Sequence, residues 1–118
     1  MERTYSLKGW SNLSRKCLVI QGSSHNHDYL DEMVTSAKEI KIYLDQGRCS
    51  TDEEKAYHQI YISNKGFTAY KIFDLIVKTF WKSVDDIYGG DSDHICDLAL
   101  TKFTYNEETQ SVYPDTDS

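Results

Sequence analysis

Apolar side chains recur every three or four residues between positions 67 and 88, which is the spacing of one face of an α-helix. The stripe consists of Phe67, Tyr70, Phe73, Ile76, Val77, Phe80, Trp81, Val84 and Tyr88. Gly89 and Gly90 follow immediately, and glycine is common just beyond the end of a helix. The pattern therefore predicts a central core helix that ends before Gly89.

Shorter stretches of the same spacing occur elsewhere in the chain. Residues 28–46 carry apolar positions at helical intervals, with Gly47 just beyond them. Ser11 and Ser92 are candidate N-caps of two further helices, and a Thr-x-x-Glu capping box at residues 51–54 begins another. We therefore predict an all-α fold, a compact bundle of four to five helices.

Two segments leave an alternative open. The stretches KCLVIQG and AYHQIYIS are rich in β-branched and aromatic residues, so the fold is α+β if residues 17–20 and 57–62 are strands.

The end of the chain, YNEETQSVYPDTDS, has few apolar side chains to bury. The expected organisation is a single helical domain over residues 1–104 and a loose, flexible acidic tail over 105–118.

Composition adds limits on the class of protein. With 118 residues, 39% of them hydrophobic, the chain suffices for one core without a disulfide or structural metal. Cys17, Cys49 and Cys96 form no CxxC pair, and the N-terminus lacks the apolar run of a signal peptide or membrane span. No glycine-rich phosphate loop is present. We expect a cytoplasmic protein that needs no cofactor and does not enter a membrane.

The charge is concentrated near the end of the sequence. The net charge is -6, and residues 85–118 hold nine Asp and Glu against the single cation Lys102. Such a field repels nucleic-acid phosphates and attracts a basic protein. The charge pattern therefore disfavours direct nucleic-acid binding and favours a basic protein partner.

Carboxylates and aromatic residues alternate where this acidic region begins. Aromatic rings supply contact area at interfaces, and carboxylates pair with arginine. The alternative interpretation is an ordinary solvated helix end whose aromatic residues face the core. The predicted partner-binding residues are Trp81, Asp85, Asp86, Tyr88, Asp91, Asp93 and Asp97.

The segment GSSHNHDYLDEM, residues 22–33, is a second candidate site. His25 and His27 have a spacing that can chelate a metal, with Asp28 as a further ligand. The same residue types also suit the start of a helix, where polar side chains cap backbone N–H groups. Helix capping is the favoured interpretation, so we expect no metal.

The segment LIVKTFWKSVDDIYGGDSD, residues 75–93, resembles the later part of bacterial immunity proteins of the colicin D and self-protective colicin-like type. The resemblance implies a helical bundle that covers the basic cleft of a nuclease toxin, with Asp85, Asp86, Asp91 and Asp93 at the contact. It does not extend to the N-terminal third of the chain or the segment after residue 100.

The functional prediction is a non-catalytic inhibitor of a basic protein, most specifically an immunity protein against a bacterial nuclease toxin. One alternative is a phage or viral anti-defence protein whose acidic surface mimics nucleic acid. An alternative of another class is a metal-dependent enzyme that uses His25 and His27. The sequence does not indicate an oligomeric state.

Overall fold

A mixed β-sheet and one long helix make up the fold in the computed structural model, which describes residues 1–22, 27–44, 57–87, 89–91, 93 and 95–117. The elements, in chain order, are β1 (Glu2–Asn12), β2 (Ile20–Gln21), a 3-10 turn (Asp28–Asp31), β3 (Met33–Thr35), β4 (Glu39–Leu44), β5 (Tyr57–Ile62), β6 (Phe67–Thr68), α1 (Ala69–Ile87), β7 (Ala99–Asn106) and β8 (Ser111–Asp117).

Six of the strands form one sheet in the order β2-β1-β7-β8-β4-β5, and β3 pairs with β6 in a small second sheet. Neighbouring strands are antiparallel except for β4 and β8, which are parallel. The edges of the large sheet differ, because β2 is two residues long whereas β5 is six.

The helix α1 confirms the predicted central helix and covers one face of the sheet. Ile72, Phe73, Ile76 and Val77 are fully buried on one side of the helix, whereas Tyr70 of the predicted stripe is 47% exposed. The ring of Phe73 meets the ring of Phe103 on β7 edge to face, with 4.7 Å between centroids. Burial of this stripe is the main force that holds the helix on the sheet. Within the described ranges, no helix has both the length and the apolar character to cross a membrane.

The all-α prediction is wrong, and residues 28–46 show why. Ile40 and Leu44 are four residues apart, a spacing that fits one face of a helix and equally one face of a strand. Ile42 lies between them and is also fully buried, so alternate residues of β4 face the core. Over residues 28–44, the part of this segment that the structure describes, only the 3-10 turn at Asp28–Asp31 is helical.

The predicted first and last helices and the loose tail are also wrong. Ser11 lies within β1, and the segment expected to continue the last helix forms β7. β8 pairs with both β7 and β4 in the interior of the sheet, and its Val112 is fully buried. Residues 57–62, the segment left open as a strand, form β5. The predicted capping box at 51–54 lies outside the described residues.

Candidate functional site

Strand directions bring the acidic segments of the sequence to one end of the large sheet. β7 begins where β8 ends, since Ala99 pairs with Asp117. β4 runs parallel to β8, and its last residue, Leu44, pairs with Tyr57 at the start of β5. The C-terminal end of α1 reaches this same end, because the Tyr57 hydroxyl donates a hydrogen bond to Asp86 Oδ2.

Seven exposed carboxylates consequently share this end of the molecule. Five of them lie between residues 85 and 97, in the last turn of α1 and in the connection to β7. The other two lie at the end of β8. In the part of the chain that the structure describes, none of the seven forms an ion pair. We call this surface the acidic end; it comprises Asp85, Asp86, Asp91, Asp93, Asp97, Asp115 and Asp117.

The two remaining carboxylates of the acidic third of the sequence lie at the opposite end of the sheet. Glu107 and Glu108 occupy the turn between β7 and β8. The guanidinium of Arg3 binds Glu107, and the N-terminal ammonium lies 3.6 Å from Glu108 Oε1. The fold thus separates these two partly neutralised glutamates from the unpaired aspartates of the acidic end.

Two aspartates of the acidic end also have local structural contacts. Burial, followed by the hydrogen bond to Asp86, raises the pKa of Tyr57 to about 12. Asp91 Oδ1 accepts a hydrogen bond from the backbone N–H of Asp93 at 3.0 Å, which fixes the turn after α1. Asp85 and Asp97 are exposed on either side of that turn.

The aromatic residues predicted to contact a partner have a different placement. Trp81 is half-buried, and its indole Nε1–H donates to the carbonyl of Arg15 at 2.8 Å. The Lys16 ammonium lies 5.0 Å from the centre of the same indole. Trp81 therefore holds the loop after β1 against α1, and Tyr88 lies outside the described residues.

Cationic side chains also occur near the acidic end, but they are fewer. Arg15 and Lys16 belong to the loop that β1 enters at this end, and Lys82 lies on the last turns of α1. Lys102 pairs in register with Asp115 across β7 and β8. Among the described residues, four cations against seven carboxylates leave this surface with an excess of negative charge.

The candidate metal residues divide between described and undescribed parts of the chain. His25 lies outside the described residues. His27 precedes the 3-10 turn, with its ring centre 6.1 Å from that of Tyr29, and its buried Nδ1 has no hydrogen-bond partner among the described residues. Asp28 opens that turn. Over the described ranges, no group of three or more His, Cys, Asp or Glu side chains is placed to hold a metal ion.

The predicted partner-binding residues do not include Asp115 and Asp117, which lie in the segment predicted to be a loose tail. The signal was the alternation within SVYPDTD, where Val112, Pro114 and Thr116 are less exposed than the residues between them. Sequence reasoning also missed Tyr57, whose contact with Asp86 joins two elements that are 29 residues apart in the chain.

Comparisons of the chain with protein-family models, with curated proteins and with solved structures find no match.

Proposed function

We propose that this protein is a non-catalytic cytosolic inhibitor that binds a basic protein through its acidic end. The more specific proposal is an immunity role, in which the partner is a bacterial nuclease toxin and the carboxylates occupy the cationic cleft that would otherwise take nucleic acid.

The observation that carries the proposal is the accumulation, at one end of the sheet, of exposed carboxylates that form no ion pair with any described residue. Holding like charges together raises the free energy of the folded state, and a cationic partner would relieve that repulsion. Carboxylates from α1, from the following connection and from β8 are also spread widely enough to meet several arginine or lysine side chains.

The proposal rests on this charge distribution and not on a helical bundle, since the described residues form β-sheets with one α-helix. An acidic surface accelerates association with a basic protein whatever elements display it. Of the predicted contact residues, Asp85, Asp91, Asp93 and Asp97 are the most direct candidates, because the side chains of Asp86 and Trp81 bind other elements of the fold, whereas the contact of Asp91 stays within its own turn.

The test compares partner capture by two charge-matched variants. The first neutralises the acidic end with Asp85→Asn, Asp91→Asn, Asp93→Asn and Asp97→Asn, and asparagine at 91 retains the acceptor for the turn. The control neutralises four exposed carboxylates at the opposite end of the sheet: Glu2→Gln, Asp31→Asn, Glu32→Gln and Glu39→Gln.

Each protein is immobilised, exposed to a lysate of the source organism and eluted with salt. The proposal expects one basic nuclease on the wild type and the control, with loss from the acidic-end variant. Its identity as a toxin or as a host defence nuclease then separates immunity from anti-defence. Capture of the same protein by all three baits would reject the acidic end as the binding surface.

A further inference from the structure

In the part of the chain that the structure describes, β5 pairs with β4 alone and forms an edge of the large sheet. Its six residues pair with β4 in continuous register, without a bulge. Ser63 N–H donates to Lys38 O at 2.7 Å, and hydrogen-bonded pairs alternate along an antiparallel ladder. The backbone groups of His58, Ile60 and Ile62 therefore point away from β4, towards the free side.

The strand β5 itself, residues 57–62, lacks the sequence features that usually prevent edge strands from associating. Natural edge strands carry charges, prolines or bulges, or are very short. The sequence of β5, YHQIYI, has no charged residue and no proline, and Ile60 and Ile62 are 49% and 74% exposed. At the opposite edge of the same sheet, β2 is only two residues long, so that edge is very short whereas β5 is not.

Two charged side chains of α1 flank this edge. Asp86 accepts a hydrogen bond from Tyr57 at the beginning of β5. Lys71 Nζ donates to Ser63 Oγ at 2.8 Å, just beyond the end of β5. The edge therefore has a negative group beside its first residue and a positive group beside its last.

We propose that β5 pairs antiparallel with β5 of a second copy, about a two-fold axis at Ile60, to form a continuous sheet through a homodimer. This register places Tyr57 opposite Ser63 of the other copy, so Asp86 approaches Lys71 of that copy on both sides of the axis. Ile60 meets its own equivalent, and Ile62 meets His58.

A second copy suits this edge because the charges are complementary under the two-fold rotation. The antiparallel arrangement also directs the two acidic ends in opposite directions, which limits repulsion between chains of net charge -6. The aspartates outside this contact stay available for a partner, so the dimer does not depend on the function proposed above.

The test is sedimentation equilibrium of the full chain from about 1 µM to about 1 mM. The wild type should show a monomer–dimer equilibrium. Ile60→Lys should weaken dimerisation by at least about tenfold, because it brings two ammonium groups together at the axis. Met33→Lys is the matched control, since Met33 is also 49% exposed and lies on β3; its dimerisation should equal that of the wild type.

A second measurement does not depend on a variant. Amide hydrogen exchange at His58, Ile60 and Ile62 should slow as the protein concentration rises, because the outward N–H groups become paired in the dimer.

Lys71→Glu should weaken dimerisation, and adding Asp86→Lys should restore part of it. A monomer at every concentration, or a dimer that tolerates Ile60→Lys and leaves these amides unprotected, would overturn the proposal.

Discussion

The phenol of Tyr57 donates a hydrogen bond to the carboxylate of Asp86 and thereby joins the start of β5 to the last turn of α1. Gln59 Nε2 donates to the same phenol oxygen at 2.8 Å. Since the two residues belong to different layers of the fold, their contact aligns the helix end with the end of the sheet. This alignment brings Asp85 and Asp86 to the same end as Asp115 and Asp117.

The Tyr57 contact predicts a specific dependence of stability on pH. The pKa of Tyr57 is about 12 in the folded protein and 10.0 by its ordinary value, so folding favours the protonated phenol. This contribution is fully present below pH 10 and is lost as the pH rises from 10 towards 12, because the unfolded chain releases the proton first. Tyr57→Phe should remove this part of the pH dependence and about 1 kcal/mol of stability at pH 8.

The measurement is urea unfolding at several pH values, together with an absorbance titration of the phenolates. Asp86→Asn separates the two causes of the raised pKa of Tyr57. It should remove the contribution of the Asp86 carboxylate to this pKa and leave the contribution of burial. If the wild type and Tyr57→Phe lose stability in parallel above pH 10, the contact has no energetic role.

Gly9 is predicted to be intolerant of a side chain. Its φ of 142° is one that residues with a side chain rarely adopt. A Cβ at this position would also lie 2.0 Å from the Gln21 carbonyl oxygen, where β1 approaches β2. Gly9→Ala should cost at least about 1–3 kcal/mol from backbone strain, with the steric clash in addition. Gly89→Ala is the control: its φ is 60° with no atom within 4 Å of the new Cβ, so about 1 kcal/mol is expected. Equal unfolding midpoints for the two variants would contradict this account.

Phe103 is predicted to be the most sensitive position of β7. It is fully buried, stacks on Tyr5 at 5.2 Å between centroids and meets Phe73 edge to face. Phe103→Ala should lower the free energy of unfolding by roughly 3–5 kcal/mol through lost burial and a cavity. Tyr113→Ala, on the open face of the neighbouring strand, should cost about 1 kcal/mol or less. Chemical denaturation of both variants tests this difference.

The sequence predicted α1 because its apolar period continues over several turns, which only a long amphipathic helix satisfies. The shorter segments were ambiguous. In β4, the spacing of Ile40 and Leu44 fits both a helix and a strand. Ile42 distinguishes the two, because a strand buries it on the same face as Ile40 and Leu44.

β8 was missed for a different reason. Its sequence is acidic and contains Pro114, and proline normally argues against an interior strand. Among the described residues, β8 pairs with β4 only at Ser111 and Val112, and the pairing of Pro114 is with Phe103 on the β7 side. Asp115 and Asp117 could not be assigned to the acidic end from the sequence, because they reach it through strand pairing between distant segments.

The central claim, that the acidic end binds a basic protein, is tested most directly by parallel capture with the two charge-matched variants. The account predicts that one basic nuclease elutes in salt from the wild type and from the control variant neutralised at Glu2, Asp31, Glu32 and Glu39. The same nuclease should be absent from the variant neutralised at Asp85, Asp91, Asp93 and Asp97. Its retention by that last variant, or the absence of any basic protein from the wild type, would contradict the claim.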